Sequence, residues 1–140
     1  MKKAFLLSLI IFAIGCSKEE KKILRIYEPE VFVIEAEGGS TEVILEAKVE
    51  GFKIINEGGK YHYDFDYYCD LITPTGEKLV KVASNNFKVS QEEKVDPYLL
   101  VDISFLLESD SPEGSYQAIY YIKDNITGEV ASITKAFELE

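Results

Sequence analysis

From Glu28 onward, apolar side chains recur at every second position between turn signals eight to fifteen residues apart, and no stretch sustains a 3.6-residue period. Successive side chains of an extended strand leave opposite faces, so this alternation fits half-buried strands and argues against helices as the main building element. Residues 41–49 state it most clearly: Thr41, Val43, Leu45, Ala47 and Val49 fall on one face, and Glu42, Ile44, Glu46 and Lys48 on the other. The pattern predicts strands over 31–36, 41–49, 61–71, 77–82, 99–107, 116–123 and 129–139, the first ended by Gly38-Gly39-Ser40. Thr73-Pro74-Thr75-Gly76 is a turn with proline at the position whose φ it presets, and Asp124-Asn125-Ile126-Thr127-Gly128 closes a final hairpin. Residues 83–96 are polar, with Phe87 and Val89 as the main apolar points, and read as a partly ordered connection holding one short strand.

Seven or eight short strands in residues 28–140 favour two packed sheets, because one open sheet would cover only one apolar face. The closing segment carries a family pattern. Pro112-Glu113-Gly114-Ser115-Tyr116, then alternating residues, Asp124, the Thr127-Gly128 turn and a last strand with Phe137 and Leu139, resembles the end of bacterial immunoglobulin-like domains. The resemblance implies an all-β, immunoglobulin-like antiparallel sandwich. It also implies a tyrosine corner at Tyr116, with the hydroxyl bonded back to nearby backbone and the ring in the core. It implies a fold and no particular activity. The cysteine pair and core tryptophan of antibody domains are absent, since the chain has no Trp and Cys69 has no partner.

The opposite end states an address. Lys2 and Lys3 precede an eleven-residue run, Ala4 to Ile14, that is apolar apart from Ser8, and small or aliphatic residues lead into Cys16. This is a secretory leader, too short for the roughly 20 residues that span a bilayer as a helix. Ala13-Ile14-Gly15-Cys16 resembles the lipobox of bacterial lipoproteins, which implies removal of residues 1–15 and lipidation of Cys16 with palmitate-type chains. Two or three acyl chains at about 0.8 kcal/mol per buried methylene would hold such a chain on a membrane. Residues 16–27 follow as lipidated cysteine and charged tether. Within them Lys18-Glu19-Glu20 resembles the export signals of surface lipoproteins, and Ser17 is not the aspartate of inner-membrane retention. The expected location is extracytoplasmic, on the outer membrane or cell surface.

Removing residues 1–15 leaves 13 basic against 25 acidic side chains, a net charge of −12. Phosphate backbones need a basic face, so a nucleic-acid partner is disfavoured, and an anionic bilayer surface would repel the domain. With Cys16 lipidated, Cys69 is the only thiol left, and no intramolecular disulfide can form.

His62 is the only histidine, which removes most hydrolytic and zinc schemes. Cys69 falls on the opposite face of the same predicted strand, so the two cannot act as nucleophile and base. No glycine-rich phosphate loop or nucleophile elbow is present, and no enzyme or cofactor is expected. The sharpest polar feature is the face His62, Asp64, Asp66, Asp70. Same-face neighbours lie roughly 6.5 to 7 Å apart, so Asp64 and Asp66, with His62, make a candidate cation site only with help from a loop or adjacent strand. The competing reading is a solvated acidic face. Among nine tyrosines, Tyr61, Tyr63 and Tyr67 share the core face of Phe65, Tyr116 and Tyr120 that of Ile122, while Tyr68 and Tyr121 face outward as a two-ring candidate sugar platform. The function expected is a membrane-anchored, non-catalytic module that binds or assembles an envelope or surface protein. The competing classes are a carbohydrate- or cation-binding module and an inhibitor of an envelope enzyme acting through residues 85–97.

Overall fold

The computed structural model describes residues 22–140, so the leader, Cys16 and the Lys18-Glu19-Glu20 run lie outside the described residues. The strands are β1 (Arg25–Glu35), β2 (Thr41–Glu50), β3 (Ile55–Glu57), β4 (Lys60–Ile72), β5 (Lys78–Gln91), β6 (Tyr98–Leu107), β7 (Gly114–Asp124) and β8 (Val130–Leu139). All neighbours are antiparallel. One sheet runs β1-β2-β6; the other runs β5-β4-β7-β8, with short β3 beside the start of β4. Strands leave one sheet and return to the other in Greek-key fashion, and the result is an immunoglobulin-like β-sandwich. In the constant-type arrangement the fourth long strand would flank β6. Here β5 pairs instead with β4 along almost its whole length.

The core follows from parity. Val43, Leu45, Ala47 and Val49 of β2 are fully buried and meet Phe65, Tyr67, Cys69 and Leu71 of β4 and Tyr116, Ala118, Tyr120 and Ile122 of β7. Two core tyrosines tie sheet to sheet: the Tyr67 hydroxyl donates to the Leu45 carbonyl at 3.2 Å, and that of Tyr120 to the Glu30 carbonyl at 2.8 Å. Burying a hydroxyl without a partner is costly, and no buried side-chain N or O lacks one among the described residues. Tyr116 enters the core at the start of β7, stacks on Phe137 with centroids 5.3 Å apart, and donates to the Pro112 carbonyl at 2.6 Å. That is the geometry of a tyrosine corner.

Three segments depart from the alternation read in the sequence. The domain begins before residue 28, because Leu24 and Ile26 are buried in the core and β1 starts at Arg25. Tyr27 pairs with Lys48 but Glu30 pairs with Glu46, a one-residue bulge at Glu28 (φ 50°) and Pro29. The bulge switches the inward positions from even to odd and hides the start of the strand. Residues 83–96 are not mainly a connection, since β5 runs unbroken to Gln91. As an edge strand it carries Ser84, Asn86, Lys88 and Ser90 on its solvent side, and from Ala83 onward only Phe87 and Val89 are larger apolar residues packed on the core, which makes this part of a paired strand look like a loop. The third is β3, closed onto β4 by the Gly58-Gly59 turn and too short to leave a period.

Candidate functional site

Cys69 lies inside, where burial pushes its thiol up to about 12, and His62 leaves the other side of β4. A nucleophile and base pair is therefore not formed by these two residues.

On the outer face of β5-β4-β7-β8, the four polar residues of β4 separate. Asn86, opposite Asp66 on β5, donates from Nδ2 to Asp64 Oδ1 at 3.0 Å and to Asp66 Oδ1 at 2.8 Å. Asn125 donates to the same Asp64 oxygen at 2.9 Å. These amide bonds, with the nearby Lys88 ammonium, hold the Asp64 carboxyl below the usual carboxylate range. Asp64 and Asp66 are thus gathered by neutral amides, and His62 lines a second depression with Asp64, Tyr63, Lys88, Ser90 and Ile126. Among the described residues no group of three or more His, Cys, Asp or Glu is placed to hold a metal ion.

Asp70 leaves the face altogether. Cys69 pairs with Ala83 and Leu71 with Leu79, so two extra residues bulge from β5, and Asp70 fills the gap. It is buried, accepts the Lys81 amide at Oδ1 (2.9 Å) and sits 3.7 Å from Lys78 Nζ. Lys81 is held at φ 50°, a left-handed conformation that costs a non-glycine residue roughly 1–2 kcal/mol. The bulge re-aims its ammonium over the Tyr68 ring, 5.1 Å from the centroid. Tyr68 in turn stacks on Tyr121 at 4.9 Å with an interplanar angle of 11°. The two outward tyrosines are therefore one stacked pair, not a flat platform. Beside them Asp66, Tyr68, Lys81, Ser84, Asn85 and Asn86 line a shallow polar depression. Lys81, Asn86 and Asn125 escaped the sequence reading because the bulge breaks the period and the hairpin turn carries none.

The outer face of β1-β2-β6 is different in kind. Cross-strand register places Phe32, Ile44 and Ser104 in one row and Ile34, Glu42 and Leu106 in the next. Phe32 is 43% exposed, Ile34 48% and Leu106 60%, and Leu100 and Tyr98 lie exposed farther along β6. The adjoining row is wholly acidic: Glu30, Glu46 and Asp102. The cations of this face are engaged, Lys48 with Glu28 at 2.6 Å and Arg25 with Glu50 at 2.9 Å. The sequence did signal this face: Val31-Phe32-Val33-Ile34 and the doublets Leu99-Leu100 and Leu106-Leu107 are apolar on both parities.

No protein-family model matches the sequence, and no curated protein does. Solved structures do match in shape. A Bacteroides fragilis protein assigned as a β-galactosidase aligns with 81% of this chain at TM-score 0.51 and 11% identity, over 16% of its own length. A β-glucuronidase of glycoside hydrolase family 2 aligns with 78% at TM-score 0.45 and 11% identity, over 11% of its length. A conjugate transposon protein from Bacteroides vulgatus aligns with 91% at TM-score 0.37 and 12% identity, over 93% of the compared chain. At such identities the likeness speaks to the sandwich alone.

Proposed function

We propose that this chain is a lipid-anchored, extracytoplasmic module of a bacterial envelope that binds a protein through the outer face of β1-β2-β6 and catalyses nothing. The observation that carries the reading is the patch of exposed Phe32, Ile34 and Leu106 around half-buried Ile44, bordered by the Glu30-Glu46-Asp102 row. Apolar patches rimmed by charge mark interaction sites, and the rim selects the partner. Four acids on this face, Glu30, Glu42, Glu46 and Asp102, have no ion-pair partner among the described residues and favour a partner whose apolar contact surface has a basic rim. A second copy would bring acid against acid, and anionic lipid headgroups would be repelled. Ile34 also lies nine residues along β1 from Arg25, roughly 30 Å from where the chain enters the domain at about 3.3 Å per residue. The leader and Cys16 support the anchor, and the inaccessible Cys69 thiol and lone His62 support the absence of catalysis.

The test is site-specific photo-crosslinking of the full chain in its native envelope. A photoreactive residue at Phe32 or Leu106 is expected to give one discrete adduct, and the same residue at Thr134 on the other sheet none. Glu46→Lys with Asp102→Lys should abolish the adduct, as should added salt. An adduct indifferent to charge reversal, or equal yields at Phe32 and Thr134, refutes the reading.

A further inference from the structure

We infer that the depression beside the β5 bulge binds the vicinal hydroxyls of a sugar residue, at a site independent of the protein-binding face and on the opposite sheet. Nothing in the sheet itself requires the bulge. Its two extra residues and the left-handed Lys81 are instead fixed by a buried carboxylate, Asp70, which accepts the Lys81 amide. Strain that the surroundings over-determine in this way collects where a side chain must be presented. Lys81 is presented over Tyr68 into a depression that also holds Asp66, Ser84, Asn85 and Asn86.

That set is mixed in hydrogen-bonding character: carboxylate acceptor, ammonium donor, hydroxyl and carboxamides that do both. A hard cation would want oxygens alone and meet the Lys81 ammonium, and a simple anion would meet Asp66. Neighbouring hydroxyls, each donor and acceptor at once, match it. Much of the set is already ordered. Asn86 spends its Nδ2 hydrogens on Asp64 and Asp66, which fixes the carboxamide, while its Oδ1 has no partner among the described residues. Tyr68 is held between Tyr121 and Lys81. Groups ordered beforehand lose little entropy on binding, and the Tyr68 ring adds an apolar edge for the C–H face of a pyranose.

The experiment reads the detergent-solubilised full chain on a glycan array with separate neutral, N-acetylated and uronic oligosaccharide arms. Binding on at least one arm is expected, falling tenfold or more in Tyr68→Ala, Asn86→Ala and Lys81→Gly and unchanged in Phe32→Glu, whose defect would lie on the other sheet. Lys81→Gly separates function from folding, because glycine accepts φ 50° freely and its thermal midpoint should equal or exceed that of the parent protein. Silence on all three arms overturns the inference. So does binding that survives Tyr68→Ala but not Lys81→Gly on the uronic arm alone, which would be ion pairing and not hydroxyl recognition.

Discussion

Replacing Asp124 by alanine should be among the most damaging single changes in this domain, although the residue closes a surface hairpin. Asp124 is 1% exposed and sits at the end of β7 opposite Phe65. Its Oδ2 accepts the Lys53 amide at 2.6 Å across 71 residues of sequence, and its Oδ1 accepts the Ile126 amide at 2.9 Å and, weakly, that of Thr127 at 3.3 Å. A hydrogen bond to a charged group contributes about 1.5–3 kcal/mol. The two short bonds therefore set a loss of about 3–6 kcal/mol for Asp124→Ala, a large part of the 5–15 kcal/mol typical of a whole domain. For a domain of this size that is roughly 12–24 °C in thermal midpoint at about 4 °C per kcal/mol. Asp124→Asn keeps one oxygen, which can serve Ile126 but sets an amide donor against the Lys53 N–H, so about half the loss is expected. Urea unfolding of the full chain, followed by tyrosine fluorescence with the m-value required to stay constant, measures both variants. A loss under about 1 kcal/mol for alanine, or an asparagine variant as stable as the parent, would show that the hairpin is held by its backbone bonds and not by this carboxylate.

Labelling with palmitate should be lost in Cys16→Ser, and the protein should leave the membrane fraction; retention of both in the variant refutes lipidation at that cysteine. The buried Cys69 thiol, its pKa pushed up to about 12, should resist iodoacetamide at pH 8 in the folded protein and react within minutes in denaturant, and rapid labelling without denaturant would contradict its place in the core. Because amide donation lowers the Asp64 carboxyl, the stability it contributes is present above about pH 4 and lost as pH falls through the depressed value. Carboxyl NMR titration should find Asp64 raised in both Asn86→Ala and Asn125→Ala, and the double variant should lose less stability than the parent on acidification below pH 4. Tyr116→Phe removes the hydroxyl bond to Pro112 while keeping the ring on Phe137, for an expected loss of about 1 kcal/mol in the same urea assay.

Where one face of a strand is buried and the other solvated, the sequence states the structure almost residue by residue. The inward sets of β2, β4 and β7 and the outward placement of Tyr68 and Tyr121 follow from period two, and the Tyr116 corner from the resemblance of the closing segment to immunoglobulin-like domains. Parity also separates Cys69 from His62 before any distance is known. Period two is lost wherever the chain inserts residues. One extra residue at Glu28 and Pro29 shifts the register of β1 and conceals Ile26, and two extra residues in β5 split a fourteen-residue strand into an apparent short strand over 77–82 and a connection after it.

Those insertions are also why the polar face of β4 could be assembled on paper but not in its true grouping. Parity alone places Asp70 on the face of Asp64 and Asp66, and without the bulge all three would face solvent, with Tyr68 between Asp66 and Asp70. Two residues added to the neighbouring strand open a gap that only a hydrogen-bond acceptor on β4 can fill, because the amide exposed there has lost its ladder partner. Asp70 turns in to accept it, Lys81 is forced into the left-handed region, and its ammonium takes the space above Tyr68. The chemistry of that face is therefore decided on β5, by an insertion invisible to the period of β4. Deleting Val80 and Lys81 together should restore the aspartate to solvent and remove the depression, whereas neither effect should follow from shortening the β7-β8 hairpin.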